Sequence, residues 1–305
     1  MARYRDDLPQ LRAERPFLTD GGLETTLIYL EGIELPEFAA CELLRTADGT
    51  EQLRRYYEQH LRLARRHGLG FTLDTATWRA NPDWTDRLGY DDATFDAVNR
   101  AGARLAVELR DRFDSAEAPV VIGATLGPRG DGYVVGERQS VEEARAYHRR
   151  QLAIFAQEGA DFACILTASY PEEAMGAALA AADVGLPFVV SFTVETDGRL
   201  PSGDTLTDAV AAVDAAAPVA YFMVNCAHPT HLPAELPERV RGYRANASSC
   251  SHAELDASDS LDAGDPDDLA ARMIALRARM PQLAVLGGCC GTDLRHLGAL
   301  AAALG

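Results

Sequence analysis

The chain has 305 residues, of which 47% are hydrophobic and 25% charged, the proportions of an ordinary globular protein. Its formal net charge of −17 argues against nucleic acid or an anionic membrane as a partner, because phosphate groups would be repelled. No apolar run is long enough to span a bilayer, and the polar N-terminus lacks a signal-peptide core, so we expect a cytoplasmic protein. Six cysteines are too few for a disulfide scaffold, and self-association is left open.

Short apolar runs alternate with longer segments of helical periodicity from residue 17 to the end of the chain. Thr50 is expected to cap the first long helix and Gly68 to end it. The predicted strands cover residues 17–20, 71–75, 120–124, 161–166, 188–192, 219–224, 240–245 and 283–286. The predicted helices cover residues 51–67, 92–113, 140–158, 171–184, 206–217, 266–279 and 293–304, with a weaker, proline-broken helix in 230–240.

Eight strand–helix units predict a single (β/α)8 TIM barrel of the α/β class, spanning residues 1–305. Several strands are continuously apolar, as expected where a parallel sheet is covered on both faces. A doubly wound sheet is the main alternative, although the glycine pattern of its dinucleotide-binding form is absent. Residues 1–16 are predicted to be an N-terminal extension, and residues 254–268 a long loop rather than a domain boundary.

Two adjacent cysteines stand in a glycine frame near the C-terminus, where residues 287–293 read Gly-Gly-Cys-Cys-Gly-Thr-Asp. They follow the predicted eighth strand, and a sharp turn permitted by the glycines would aim both sulfurs at one point. A disulfide between neighbouring cysteines closes a strained ring, so metal ligation is favoured. Cys226 is the third candidate ligand, because it ends the predicted sixth strand and barrel active sites lie at such strand ends.

Three thiolates at a barrel mouth are typical of a zinc site, because sulfur suits Zn²⁺ and three protein ligands leave one position open. The alternative for Cys226 is a small buried hydrophobic residue. His228 and His231 follow it closely, and we expect them near the surface or around the site rather than as ligands. Cys41 and Cys250 lie in predicted loops without ligand spacing, and Cys164 lies inside an apolar strand, so we expect it in the core.

These cysteine motifs resemble those of the zinc-dependent homocysteine S-methyltransferase family, whose members are (β/α)8 barrels. Asn225-Cys226 with Pro229, and the Cys289-Cys290 pair in its glycine frame, are similar to the two zinc-binding motifs of that family. The resemblance runs from about residue 17 to the end of the chain. It implies that Cys226, Cys289 and Cys290 hold Zn²⁺ and act in catalysis through it.

The first predicted strand ends in a second motif of the same family. Residues 20–25 read Asp-Gly-Gly-Leu-Glu-Thr and resemble the family's first-strand motif, whose aspartate helps to hold the amino acid substrate. The resemblance implies substrate contacts here and at the ends of the fourth and sixth strands, by Asp20, Gly21, Gly22, Glu24, Thr25, Thr167 and Asn225.

The predicted fourth strand departs from the family pattern. Family members carry a Glu-Thr pair there, and the glutamate binds the amino group of homocysteine, whereas this chain has Leu166-Thr167. A carboxylate facing the substrate ammonium is therefore missing unless another acidic residue replaces it. The candidates are Glu172, Glu173 and Glu195.

The first-strand motif departs as well, because Glu24 and Thr26 stand where the family has a small residue and a glutamate. Glu24 is interpreted as a solvated loop acid, since such residues are commonly exposed, and a relocated ammonium partner is the alternative. Together with Asp20 and Asp74 it predicts an acidic mouth that would favour a cationic sulfonium.

The resemblance implies transfer of a methyl group from S-methylmethionine, S-adenosylmethionine or betaine to a zinc-bound thiol, with homocysteine giving methionine. The length leaves no room for the extra domains of cobalamin-using relatives, so a small free donor is expected. Three alternatives stay open: a different thiol acceptor, a non-catalytic barrel with structural zinc, and a redox protein forming a disulfide between Cys226 and the 289–290 pair.

Overall fold

Eight parallel strands close into a barrel in the computed structural model, which describes residues 1–305. Neighbouring strands pair in chain order, and Phe17 pairs with Val285 to join the first strand to the last. The predicted (β/α)8 barrel is confirmed, and the doubly wound alternative is wrong. The strands are β1 (Phe17–Leu18), β2 (Phe71–Asp74), β3 (Val120–Leu126), β4 (Phe162–Ala168), β5 (Phe188–Phe192), β6 (Tyr221–Ala227), β7 (Val240–Ala245) and β8 (Val285–Gly288).

Helices surround the barrel, and most begin where the sequence supplies a capping side chain. Asp91, Ser140 and Thr205 each accept a hydrogen bond from a backbone N–H in the first turn of the next helix. None of the helices combines the length and apolarity needed to cross a bilayer. The helices are α1 (Leu23–Thr25, continued by a π-helical segment, Thr26–Leu30), α2 (Ala47–Arg66), α3 (Pro82–Arg87), α4 (Asp92–Phe113), α5 (Val141–Glu158), α6 (Pro171–Asp183), α7 (Leu206–Ala216), α8 (His252–Asp256), α9 (Pro266–Arg279) and α10 (Leu294–Leu304).

Two helix predictions are wrong. Thr50 does not cap α2, because the hydroxyl of Thr46 accepts the backbone N–H of Gly49 at 3.0 Å and starts the helix earlier. The proline-broken helix in 230–240 is absent, and only a 3₁₀ turn, Pro229–His231, follows β6. The prolines at 233 and 237 explain this, since each lacks the backbone N–H that a helix needs.

The long loop predicted over 254–268 is partly helical. Ser251 and Glu254 form a capping box that starts α8, so a short helix stands over the end of β7. The remainder is irregular up to Asp265, which caps α9. Helix α8 begins with His252 and so brings a histidine into the region of the strand ends.

The N-terminal segment closes the end of the barrel where the strands begin. The side chain of Leu8 packs in one apolar cluster with Phe17, Phe162 and Tyr221 at the strand starts. A carboxylate oxygen of Asp161 accepts the backbone N–H groups of residues 3 and 4 at 2.7 and 2.8 Å. Residues 1–16 are therefore packed against the barrel, and the main cavity opens at the opposite end.

Candidate metal centre and active site

A cavity opens at the carboxyl ends of the strands, as expected for this fold. Its walls come from the turns after β1, β2, β3, β4, β6, β7 and β8. All ten residues that the sequence marked for a site line this one cavity: Asp20, Gly21, Gly22, Glu24, Thr25, Thr167, Asn225, Cys226, Cys289 and Cys290.

The sulfurs of Cys226, Cys289 and Cys290 converge on one wall of the cavity, where all three lie within 4.8 Å of one another. The Sγ atoms of Cys226 and Cys290 are 3.9 Å apart, and those of Cys226 and Cys289 are bonded as a disulfide. No histidine joins this group. His228 instead contacts Thr230, and Nε2 of His231 lies 3.0 Å from the carbonyl oxygen of residue 249.

The glycine frame holds the turn after β8 against β1. A Cβ atom on Gly287 would collide with Thr19, and one on Gly288 with Thr292, so only glycine permits this close approach. The turn itself is closed by the hydroxyl of Thr292, which donates to the carbonyl oxygen of Cys289 at 2.7 Å. These contacts set the direction in which the paired cysteines leave the strand.

Cys226 has a left-handed backbone conformation, with φ at 53°. That conformation costs a non-glycine residue on the order of 1 kcal/mol, so neighbouring groups must hold it. The carbonyl oxygen of Cys226 accepts hydrogen bonds from Asn246 at 3.1 Å and from His252 at 2.6 Å. The backbone thus turns the side chain of Cys226 toward the 289–290 pair.

The three sulfurs fit a tetrahedral Zn²⁺ ion in kind and in spacing. Sulfur ligands about 2.3 Å from zinc stand roughly 3.8 Å apart, which matches the Cys226–Cys290 separation of 3.9 Å. The Cys226–Cys289 disulfide must be reduced before either sulfur can bind a metal. Burial and the negative charge of Glu24 raise the pKa of the Cys290 thiol to about 11, so a metal would displace a proton there.

Two acids of the predicted mouth share one buried arginine. Arg244 on β7 forms ion pairs with Asp20, at 2.6 Å, and with Asp74, and its Nε donates to the carbonyl oxygen of Gly288 at 2.9 Å. Burial alone would lower the pKa of Arg244. The attraction of the two carboxylates is larger than this effect, so the pKa of Arg244 is raised above its ordinary value. Arg244 therefore offsets one of the two negative charges that Asp20 and Asp74 were expected to present to a sulfonium.

Glu24 is not the solvated loop acid that the sequence favoured. It lies on α1 and lines the cavity, and Thr25 beside it accepts the backbone N–H of Gly291 at 3.2 Å. Burial, with a contribution from Asp20, raises the pKa of Glu24 to about 7. Its carboxylate has no ion-pair or side-chain hydrogen-bond partner, which distinguishes it from Asp20 and Asp74.

The three other glutamates proposed as replacements are engaged elsewhere. Glu172 pairs with Arg138 on the surface at 2.7 Å, and Glu173 is fully buried against His148 at 3.1 Å. Glu195 contacts Nδ1 of His252 at 2.9 Å. None of the three lines the cavity.

The end of β4 is fixed by polar contacts rather than by a carboxylate. Asn225 on β6 accepts the backbone N–H of Thr167 at 2.9 Å and the hydroxyl of Ser191 at 2.6 Å. Trp78 donates from its indole nitrogen to the Thr167 hydroxyl at 3.0 Å. Leu166, which precedes Thr167, lines the cavity at this point, where the family has a glutamate.

Three residues that contact the cysteines or the acids of the mouth were missed in the sequence: Tyr133, Arg244 and His252. The rings of Tyr133 and His252 stack with centroids 4.0 Å apart, and the Tyr133 hydroxyl lies 3.9 Å from Sγ of Cys290. Only Arg244 carried a usable signal, because a charged residue within a short barrel strand needs a buried partner. The other two sit in segments without a periodic pattern.

Fold and site together define a (β/α)8 barrel with a thiol cluster at the catalytic end. A family model described as homocysteine S-methyltransferase matches residues 17–304. The chain belongs to the homocysteine S-methyltransferase family, which is a family of methyltransferase enzymes.

Individual relatives are distant, and the matches differ in extent. Homocysteine S-methyltransferase 3 of Arabidopsis thaliana is 28% identical over 39% of this chain and 38% of its own length. Methionine synthase of Mycobacterium leprae (strain TN) is 26% identical over 99% of this chain, which spans only 25% of that protein. The chain thus matches well under two thirds of the length of these two relatives.

Solved structures of the Escherichia coli homocysteine methyltransferase MmuM share the fold. Its oxidized form superposes with a TM-score of 0.78 and 21% identity, covering 99% of both chains. Its metallated form gives a TM-score of 0.76 and 22% identity, over 96% of this chain and 99% of that chain. At these identities the likeness is one of fold.

Proposed function

We propose that this protein is a zinc-dependent S-methyltransferase that moves a methyl group from a small sulfonium or ammonium donor to homocysteine, forming methionine. The convergence of the Cys226, Cys289 and Cys290 sulfurs at the mouth of the barrel carries the proposal. Family membership supports the reaction class, and MmuM, which shares the fold, has a metallated form.

The three cysteines would hold the metal once the disulfide is reduced. Bound there, Zn²⁺ would keep the acceptor's sulfur deprotonated near neutral pH, where a free alkyl thiol with a pKa of about 8.5 is mostly protonated. Asn225 supports the arrangement, because its side-chain nitrogen lies 3.9 Å from Sγ of Cys289 while its oxygen holds the end of β4. Three protein ligands leave one position for the substrate.

The methyl transfer is a displacement at carbon. The acceptor sulfur forms a bond to the methyl carbon as the bond from that carbon to the donor's positive sulfur or nitrogen breaks. The electron pair of the broken bond stays on the donor atom, which leaves uncharged. S-Methylmethionine, S-adenosylmethionine and betaine all satisfy this balance, and we propose a donor from this group.

The remaining marked residues would form the substrate pocket beside the cysteines. Gly21 and Gly22 bring the turn after β1 close to the turn after β8, since a Cβ on either would collide with residues 289–292. Thr25 and Thr167 add hydroxyls to the cavity wall, and Asp20 acts by positioning Arg244.

A different thiol acceptor is the second candidate, and Leu166 is the observation that favours it. An apolar side chain at the end of β4 suits an acceptor with less charge than an amino acid. A cycling disulfide is the third, because Cys226 and Cys289 are paired here.

A panel of thiols crossed with the three donors tests the proposal on reduced, zinc-loaded protein. We expect methionine from homocysteine with at least one donor, detected by mass spectrometry. Methylation of another thiol with homocysteine inert would select the second candidate. A protein that turns over disulfides while binding no stoichiometric metal would select the third.

A further inference from the structure

We propose that Glu24 and Arg79 together receive the ammonium and carboxylate groups of an α-amino acid substrate in this cavity. The proposal deepens the proposed function and rests on it for the identity of the reaction. It names two specificity-determining residues and a substrate class, a zwitterionic amino acid head group.

Most charged groups deep in the cavity already have partners. Asp20 and Asp74 pair with Arg244, and Asp262 accepts the hydroxyl of Ser248 at 2.6 Å. A carboxylate oxygen of Asp131 accepts backbone N–H groups of its own loop. A bound zwitterion therefore has to find charges that the protein has left unpaired.

Glu24 is an unpaired acid that lines the same cavity as the cysteines. It stands on α1, next to Thr25, which is hydrogen-bonded to the turn that carries Cys290. Its negative charge acts on the Cys290 thiol, and its carboxylate has no ion-pair or side-chain hydrogen-bond partner of its own. This carboxylate is therefore available to an ammonium group of a ligand bound beside the cysteines.

Arg79 is the unpaired cation of the same cavity. Its guanidinium stacks on the ring of Trp84 at 3.8 Å and lies 5.0 Å from the Trp78 ring, and one terminal nitrogen donates to the carbonyl oxygen of residue 37. It forms no ion pair, and its buried Nε has no hydrogen-bond partner. The aromatic rings hold the group in place, so little freedom is lost on binding a carboxylate.

Glu24 and Arg79 stand on neighbouring turns of the same cavity wall. Glu24 follows β1 and Arg79 follows β2, and these strands are paired neighbours. Each group feels the charge of the other, yet no salt bridge joins them. A ligand that carries both charges on one carbon can bridge the gap and satisfy both residues.

The wall formed by β4 does not compete for the head group. Leu166 is apolar, and the Thr167 hydroxyl already accepts from Trp78. The charged end of the substrate is thereby directed toward β1 and β2, and the apolar chain of the substrate toward Leu166.

Binding can be measured without turnover, because both tryptophans of the chain lie in the Arg79 stack. Fluorescence titrations with methionine, homocysteine and S-methylmethionine would be compared for the wild type, Glu24→Gln and Arg79→Gln. The controls are Glu172→Gln, a surface acid, and Arg87→Gln, which also stacks on Trp84 but lies outside the cavity. Retained zinc content and thermal unfolding show whether each variant is folded.

We expect Glu24→Gln and Arg79→Gln each to weaken the amino acids about tenfold or more, with controls within about twofold of the wild type. In turnover, KM for homocysteine should rise while 2-mercaptoethanol, which has no head group, is unaffected. A larger effect on S-methylmethionine than on homocysteine would assign the head group to the donor. Unchanged amino acid binding in both variants, or equal losses for 2-mercaptoethanol, would overturn the inference.

The test separates this inference from the proposed function. Tight, Glu24- and Arg79-dependent binding of amino acids without any methyl transfer would refute the function and leave the inference standing. Methyl transfer to homocysteine with unchanged kinetics in both variants would refute the inference and leave the proposed function standing.

Discussion

His252 Nε2 lies 2.6 Å from the carbonyl oxygen of Cys226 and fixes the backbone of a candidate metal ligand from a different strand end. The other ring nitrogen contacts the carboxylate of Glu195 at 2.9 Å. These two contacts hold the ring between the backbone of Cys226 and the side chain of Glu195. The position of the Cys226 sulfur therefore depends on a residue that does not touch the sulfurs.

His252→Ala is expected to weaken zinc binding while leaving the barrel folded. Loss of the contact releases the left-handed backbone of Cys226, and groups that orient metal ligands are typically worth about 10–100-fold in affinity. Competition with a chromogenic chelator measures this effect. His231→Ala, which removes a histidine outside the cysteine group, is the control, and equal affinities for the two variants would contradict the assignment.

Arg244→Met is expected to destabilise the fold by about 3–5 kcal/mol, because it leaves the carboxylates of Asp20 and Asp74 buried without a counter-charge. Urea unfolding of the reduced protein gives the value. Arg241→Met is a matched control on the same strand, since Arg241 is only part-buried and donates to a single carbonyl oxygen. Similar losses in the two variants would show that the buried ion pairs are not the cause.

Asp293 should make stability depend on acid pH. Burial raises the pKa of this carboxyl, but hydrogen bonds from Arg295 and His296 outweigh it and lower the pKa to about 2 from a usual 3.8. A lowered pKa in the folded state contributes stability that is complete above about 4 and is lost as the pH falls toward 2.

Asp293→Asn keeps a helix-capping side chain for α10 and removes the charge. The difference in thermal midpoint between wild type and variant should therefore shrink between about pH 4 and pH 2. A difference that is constant over this range would show that the carboxylate charge does not stabilise the end of the chain.

The barrel was predictable because each strand leaves its own local pattern. Continuous apolar runs such as Val120–Leu126 show burial on both faces, and capping residues such as Asp91 and Ser140 mark where helices begin. The structure of the segment after β6 was not predictable in the same way. The order of elements led us to expect a helix there, but the prolines prevent one.

The cysteine cluster was predictable as a set of neighbours because parallel strand ends meet at one face of a barrel. The pairing of the charged residues around the cluster was not predictable. Whether Asp20 is free or paired depends on which residue of β7 faces it, and Arg244 is brought there by strand register. Glu24 looked solvated because α1 is too short to show periodicity, although the hydrogen bond between Thr25 and the turn after β8 holds α1 at the cavity.

Zinc content and methyl transfer to homocysteine, measured together on reduced Cys290→Ser, test the central claim most directly. Cys290 lies outside the Cys226–Cys289 disulfide, so this variant removes a metal ligand and leaves the redox pair intact. The exposed Cys250, as Cys250→Ser, is the control. We predict about one zinc per chain and methionine formation in the wild type and control, and loss of most of both in Cys290→Ser. Full methyl transfer by Cys290→Ser, or by wild type stripped of zinc, would contradict the account.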